Sequence, residues 1–118
     1  MNIEKFRETI ARRIYVEEIS QGEWADGIEE CWKMEIEILS EDIPSTIEFL
    51  ETECTADEYS WISEVLDDIV DKNPSSELVE CYKSLMNKFP EECIKYNIAG
   101  VVEICENIIK WENDNGKK

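Results

Sequence analysis

Thr55–Asp71, TADEYSWISEVLDDIVD, reads differently on its two sides. Thr55 with Glu58 three residues on is a capping box, so a helix is predicted from Ala56. At about 100° per residue, Tyr59, Ile62, Val65, Leu66, Ile69 and Val70 gather on one apolar side. Asp57, Glu64, Asp68 and Asp71 fall opposite, with Asp67 at the edge of that stripe. Trp61 projects onto the acidic side. An indole among carboxylates is costly to leave in water and useful to a partner. This helix is therefore expected both to centre the core and to form part of the working surface.

The same periodicity organises the flanks. Ile3 to Ile19 predicts a first helix, with Ile3, Phe6, Ile10 and Ile14 inward and every arginine of the chain (Arg7, Arg12, Arg13) on it. These bases are placed to pair with acids of the fold. After a break at Ser20–Gly22, Glu23 to Leu39 predicts a second helix with Trp24, Ile28, Cys31, Trp32 and Leu39 inward. Glu29, Glu30, Glu35 and Glu37 make its remaining faces acidic; the alternation in Met34–Leu39, MEIEIL, also fits a short strand. Ser40–Pro44 reads as a loop and Ser45 as the cap of a short helix over 46–53. Beyond the central stretch, Asn73-Pro74 opens a fifth helix to about Lys88, and Phe89-Pro90 stops it. Glu91–Tyr96 is a turn or two, Asn97 caps a last helix to Trp111, and 113–118 should fray. The expectation is one compact all-α domain of about six helices.

Charge is the strongest compositional signal. The formal net charge is −17, with 29 acids against 12 bases and no histidine. The whole of the excess lies between Glu17 and Asp71, where Lys33 is the lone base; the two ends are close to neutral. Crowding like charges into one stretch costs folding stability, and a surface serving solubility alone would mix signs. The imbalance favours a cationic partner and disfavours direct binding to nucleic acid.

No apolar run approaches a membrane span, and the N-terminal stretch lacks the apolar core of a signal peptide. Five cysteines, none in CxxC spacing, suit a reducing cytoplasm, with Cys31, Cys81 and Cys105 read as core thiols. Neither a zinc site nor an EF-hand loop is present, and the glycines at 22, 27, 100 and 116 form no phosphate-binding pattern. Without histidine the usual base of a Ser or Cys triad is missing, and among so many acids a pair such as Asp67-Asp68 arises by chance. The chain is thus expected to be no enzyme and to use no cofactor. Recognition remains: acids steer a basic partner, and buried aromatic anchors supply affinity. Trp61 is the first candidate anchor, followed by Trp24 or Trp32.

The run EYSWISEVLDDIVDKNPSSELVECYKSLMNKFPEECIKYNI, with Trp61, the Asp67-Asp68 pair and Phe89-Pro90, resembles small immunity proteins of bacterial contact-dependent growth inhibition and related polymorphic toxin systems. The resemblance spans about 58–109 and rests on aromatic, acidic-pair and proline positions; the N-terminal half matches nothing in it. It implies a cytoplasmic inhibitor that binds one cognate C-terminal toxin domain in a 1:1 complex, the toxin in many such systems being a basic nuclease. Independently, carboxylates can occupy the places where a nuclease would hold phosphates. The candidate contact set is Asp57, Trp61, Glu64, Asp67, Asp68 and Asp71, with Glu29 and Glu30. An acidic regulatory module or DNA mimic that binds another basic protein is the alternative reading.

Overall fold

A computed structural model describes residues 1–20 and 25–115, the side chains of residues 20, 25, 26 and 115 excepted. The described residues form eight α-helices and a short 3-10 turn, with no strand among them. The helices are α1 (Ile3–Ser20), α2 (Ala25–Ser40), α3 (Ile43–Thr52), α4 (Ala56–Ser63), α5 (Leu66–Lys72), α6 (Ser76–Ser84), α7 (Pro90–Tyr96) and α8 (Ile98–Asn115). The 3-10 turn, Leu85–Asn87, follows α6. Trp24 and the Gln21-Gly22 part of the expected break lie outside the described residues. Met34–Leu39 is helical, so the strand alternative is set aside.

The count rises from about six to eight because the central stretch is two helices and the turn or two expected over 91–96 is the helix α7. The capping box forms as expected: the Thr55 hydroxyl accepts from the Glu58 amide, and the Glu58 carboxylate accepts from the Thr55 amide. The ladder then tightens at its far end, where the Glu64 and Val65 amides donate to Trp61 and Ile62, three residues back. Ser60 and Ser63 contribute to the break. Their hydroxyls donate to the Asp57 and Ser60 carbonyls, competing locally with regular helical bonding. Val65 leaves helical geometry at φ −119° and ψ 2°, and α5 starts after it. The apolar side survives this break: Tyr59, Ile62, Val65, Leu66, Ile69 and Val70 are all buried.

Other boundaries move for local reasons. α3 starts at Ile43 with Pro44 in its first turn, where a missing N–H costs nothing, and Asp42 takes the N-cap position. Ser45 is therefore inside the helix, and its hydroxyl accepts from the Met1 amine instead of capping. Ser75, not Pro74, caps the next helix by accepting from the Leu78 amide. Asn97 adopts the left-handed region at φ 50° and ends α7, so it joins two helices tightly. Its side chain folds over Gly100, where an added Cβ would come within 2.6 Å of Asn97 Nδ2. α8 continues past Trp111 to Asn115, so the first part of the expected frayed tail is helical.

The helices pack around a main core, with a smaller cluster of Val16, Ile28 and Cys31 between α1 and α2. α1 lies along α2, α2 touches α5, α5 and α6 both pack on α8, α3 meets α6, and α4 meets α7. Tyr59 and Tyr82 stack at 4.2 Å between centroids at the centre. The Tyr59 hydroxyl donates to the Tyr82 carbonyl at 2.8 Å, and the Tyr82 hydroxyl donates back to the Tyr59 carbonyl. This exchange ties α4 to α6 and satisfies two buried phenols. All five cysteines are free thiols. Cys31, Cys54 and Cys105 are buried, while Cys81 is only half-buried. Burial pushes the Cys54 and Cys105 thiols up to about 12, which leaves them unreactive.

Candidate functional site

Two kinds of acidic environment flank the break between α4 and α5. The first is internal. Arg13 of α1, only 5% exposed, runs between α2 and α4. Its Nη1 donates to Glu17 Oε2 at 2.9 Å and its Nη2 to Glu64 Oε2 at 2.9 Å. Its guanidinium carbon lies 5.1 Å from the Trp61 ring centroid and 5.9 Å from that of Trp32, close enough for cation–π attraction. The Trp32 indole N–H donates to the other Glu64 oxygen at 3.2 Å. Trp61 is thus half-buried and held under an arginine, rather than standing free on an acidic face as the helical projection suggested. Glu64 is held from two helices.

Glu35 completes this junction and corrects a second expectation. Placed by sequence on an acidic outer face of α2, it is fully buried, and neither carboxylate oxygen has a hydrogen-bond partner. Burial first, and then the neighbouring Glu64 charge, push its carboxyl up to about 8 against the opposing pull of Arg13. Glu35 is therefore mostly neutral at pH 7, which lowers the cost of its burial.

The second environment faces outward. α5 carries Asp67, Asp68 and Asp71. No basic side chain among the described residues forms an ion pair with any of them. Partial burial, with the charges of Asp67 and Asp71, raises the Asp68 carboxyl above the usual range. Beside this cluster runs a groove of about 320 Å³, lined by Trp61, Glu64 and Asp67 on one wall and by Tyr96, Val101 and Ile104 on the other. On the other side of Ile104 a separate depression of about 330 Å³ lies against α8, lined by Asp71, Ile108 and Trp111. Ile104 is 50% exposed and Trp111 62%, unusual for large apolar side chains.

The structure therefore brings four of the expected site residues together: Trp61, Glu64, Asp67 and, in the adjoining depression, Asp71. Asp68 stands beside them on α5, exposed to solvent. Asp57, in the first turn of α4, lines no part of the groove, and neither do Glu29 and Glu30 on α2. Glu30 instead lies 3.9 Å from Arg12. Sequence reasoning missed the opposite wall, Tyr96, Val101, Ile104 and Trp111. A signal was present: α8 carries more apolar residues than one face can bury. Ile98, Val102 and Cys105 are buried and Val101, Ile108 and Ile109 pack partly against the core, which leaves Ile104 and Trp111 exposed.

Among the described residues no three Cys, Asp or Glu side chains converge as metal ligands, and no helix is long and apolar enough to cross a membrane. The arrangement can bind cationic and aromatic or aliphatic groups together. No protein-family model, curated protein or solved structure matches the chain.

Proposed function

We propose that this protein is an immunity-type inhibitor that binds a cognate basic toxin domain and occludes its active site, acting in the cytoplasm of the cell that produces the toxin. The observation that carries the reading is the cluster of Asp67, Asp68 and Asp71, unmatched by any base among the described residues and set beside an apolar groove. Glu58, by contrast, is paired with Arg7 at 2.8 Å and Glu64 with Arg13 at 2.9 Å. The cluster accelerates encounter with a basic surface, and the effect weakens as salt rises. Its carboxylates can sit where a nuclease holds phosphates, while Trp61 and the apolar wall supply contact area.

The test is co-expression with the C-terminal domain encoded by the open reading frame immediately upstream, in a sensitive cell. Restored growth and a stoichiometric complex are expected. A harmless upstream product, or a toxic one that this protein neither binds nor blocks, overturns the reading.

A further inference from the structure

The groove and the neighbouring depression share Ile104 and lie side by side along α8. From Val101 to Trp111 the α8 wall spans about 15 Å, at about 1.5 Å per residue, the length of roughly three helical turns. Its apolar positions recur three and four residues apart, matching the spacing of side chains along one face of a helix laid in a groove. The facing wall repeats carboxylates at the same interval, Asp67 and Asp71. We propose that this groove receives a basic amphipathic helix of the partner. A large apolar side chain of that helix seats between Trp61, Tyr96 and Ile104, and its lysines or arginines face Asp67, Asp68 and Asp71.

Charge selects this occupant over two others. A second copy of this chain, itself at −17, would bring acid against the acidic rim. An anionic lipid surface is repelled by the same carboxylates. A helix that is apolar on one side and cationic beside it matches both walls at once. The proposal rests on the reading of a basic partner, but it assigns the contact to a surface different from one spread over all the acids, since Asp57, Glu29 and Glu30 fall outside it.

The probe is a synthetic Leu/Lys amphipathic peptide of three to four turns, titrated into the full chain at low and moderate salt, with amide shifts mapped by NMR. Binding is expected, with shifts centred on Trp61, Tyr96 and Ile104. Ile104→Asp, at a half-exposed site, should weaken it by about tenfold. Tyr96→Ser provides the same reading should the first variant lose helicity. Asp67→Asn with Asp71→Asn should weaken binding by about threefold and flatten its salt dependence. Asp57→Ser with Glu29→Ser should bind like the parent. Absence of binding, shifts centred on another face, or full affinity in Ile104→Asp and Tyr96→Ser overturns the assignment. Toxin rescue separates the two readings. If Ile104→Asp and Tyr96→Ser still bind the toxin domain and rescue as fully as the parent, the groove fails and the immunity function stands. If the parent binds the peptide in the groove but rescues nothing, the immunity reading alone falls.

Discussion

Glu64 and Asp67 both line the groove within one turn of sequence, yet only one of them is matched from inside the fold. Glu64 accepts from Arg13 and from the Trp32 indole. Asp67, with Asp68 and Asp71, meets no base among the described residues. The first region, the junction of α1, α2 and α4, uses carboxylates to fasten helices. The second, along α5, leaves them facing solvent beside exposed apolar side chains. Net charge does not separate these roles; what separates them is whether the fold supplies a cation. The comparison predicts large stability effects and little direct effect on partner contact at Arg13 and Glu35, which line no part of the groove, and the reverse along α5.

The largest loss of stability at neutral pH should come from Arg13→Met. The substitution keeps much of the apolar stem but removes the charge that pairs with Glu17 and Glu64 and faces buried Glu35. Arg13 is buried but its acids are partly exposed, with 47% of the Glu17 side chain and 28% of the Glu64 side chain in solvent, so the loss should be about 2 kcal/mol, or about 7 °C in melting temperature for a domain of this size. Urea and thermal unfolding measure it. A loss below about 0.5 kcal/mol would place this junction with ordinary surface ion pairs and erase the contrast.

Glu35 gives the same region a pH dependence of defined sign. The native protein keeps a proton on this carboxyl up to about pH 8, whereas an unfolded chain releases it near the ordinary 4.5. Between those values the native state binds more protons, so this group's contribution to stability falls as pH rises. Glu35→Gln cannot ionise. The stability difference between variant and parent should therefore grow in the variant's favour by roughly 4 kcal/mol from pH 4.5 to pH 8. Parallel unfolding curves at pH 5, 6.5 and 8 would show that Glu35 is charged or solvated in the native state.

Glu58 should behave in the opposite sense. Burial alone would raise its carboxyl, but hydrogen bonds from Arg7 and from Thr55 outweigh burial and hold it below the usual range. Its contribution is present above the unfolded carboxylate value and is lost as pH falls through the lower folded value. Glu58→Ala removes half of the capping box together with the Arg7 pair, and should cost about 1 to 2 kcal/mol at pH 7. The cost should shrink on acidification. Denaturation at pH 7 and pH 3 checks both magnitude and sign.

The sequence displays the first region's local chemistry better than its geometry. Thr55 and Glu58 announce a cap because that motif closes within one turn. The inward residues of the central stretch are legible because hydrophobicity with helical period identifies a core face even when the helix is interrupted. The interruption is hidden, because it depends on serine hydroxyls choosing local carbonyls and on Arg13 reaching Glu64 from 51 residues away. Glu35 was misplaced for a related reason: an acid in a helix reads as outward, and only tertiary packing closes over it. In the second region the acids of α5 were legible as a cluster, but the wall opposite them comes from α7 and α8 and is created by packing. The apolar period of α8 was legible as a core face, but it did not show that Ile104 and Trp111 would stay exposed with α5 alongside.

The smallest stability effect should come from the rim, where Asp67, Asp68 and Asp71 are replaced together by Asn. Three crowded carboxylates with no internal cation repel one another, so the triple variant should be as stable as the parent or about 0.5 kcal/mol more stable. Some of that gain is offset because Asp67 and Asp68 lie in the first turn of α5, where negative charge interacts favourably with the helix dipole. Its toxin association rate should nonetheless fall at low salt, and the difference from the parent should narrow as salt rises. Stopped-flow association alongside urea unfolding separates the two quantities. A variant that loses stability while associating at the parental rate would reassign these acids to the fold. One that gains stability and associates slowly would mean that the chain tolerates repulsion at this edge for the sake of a basic partner.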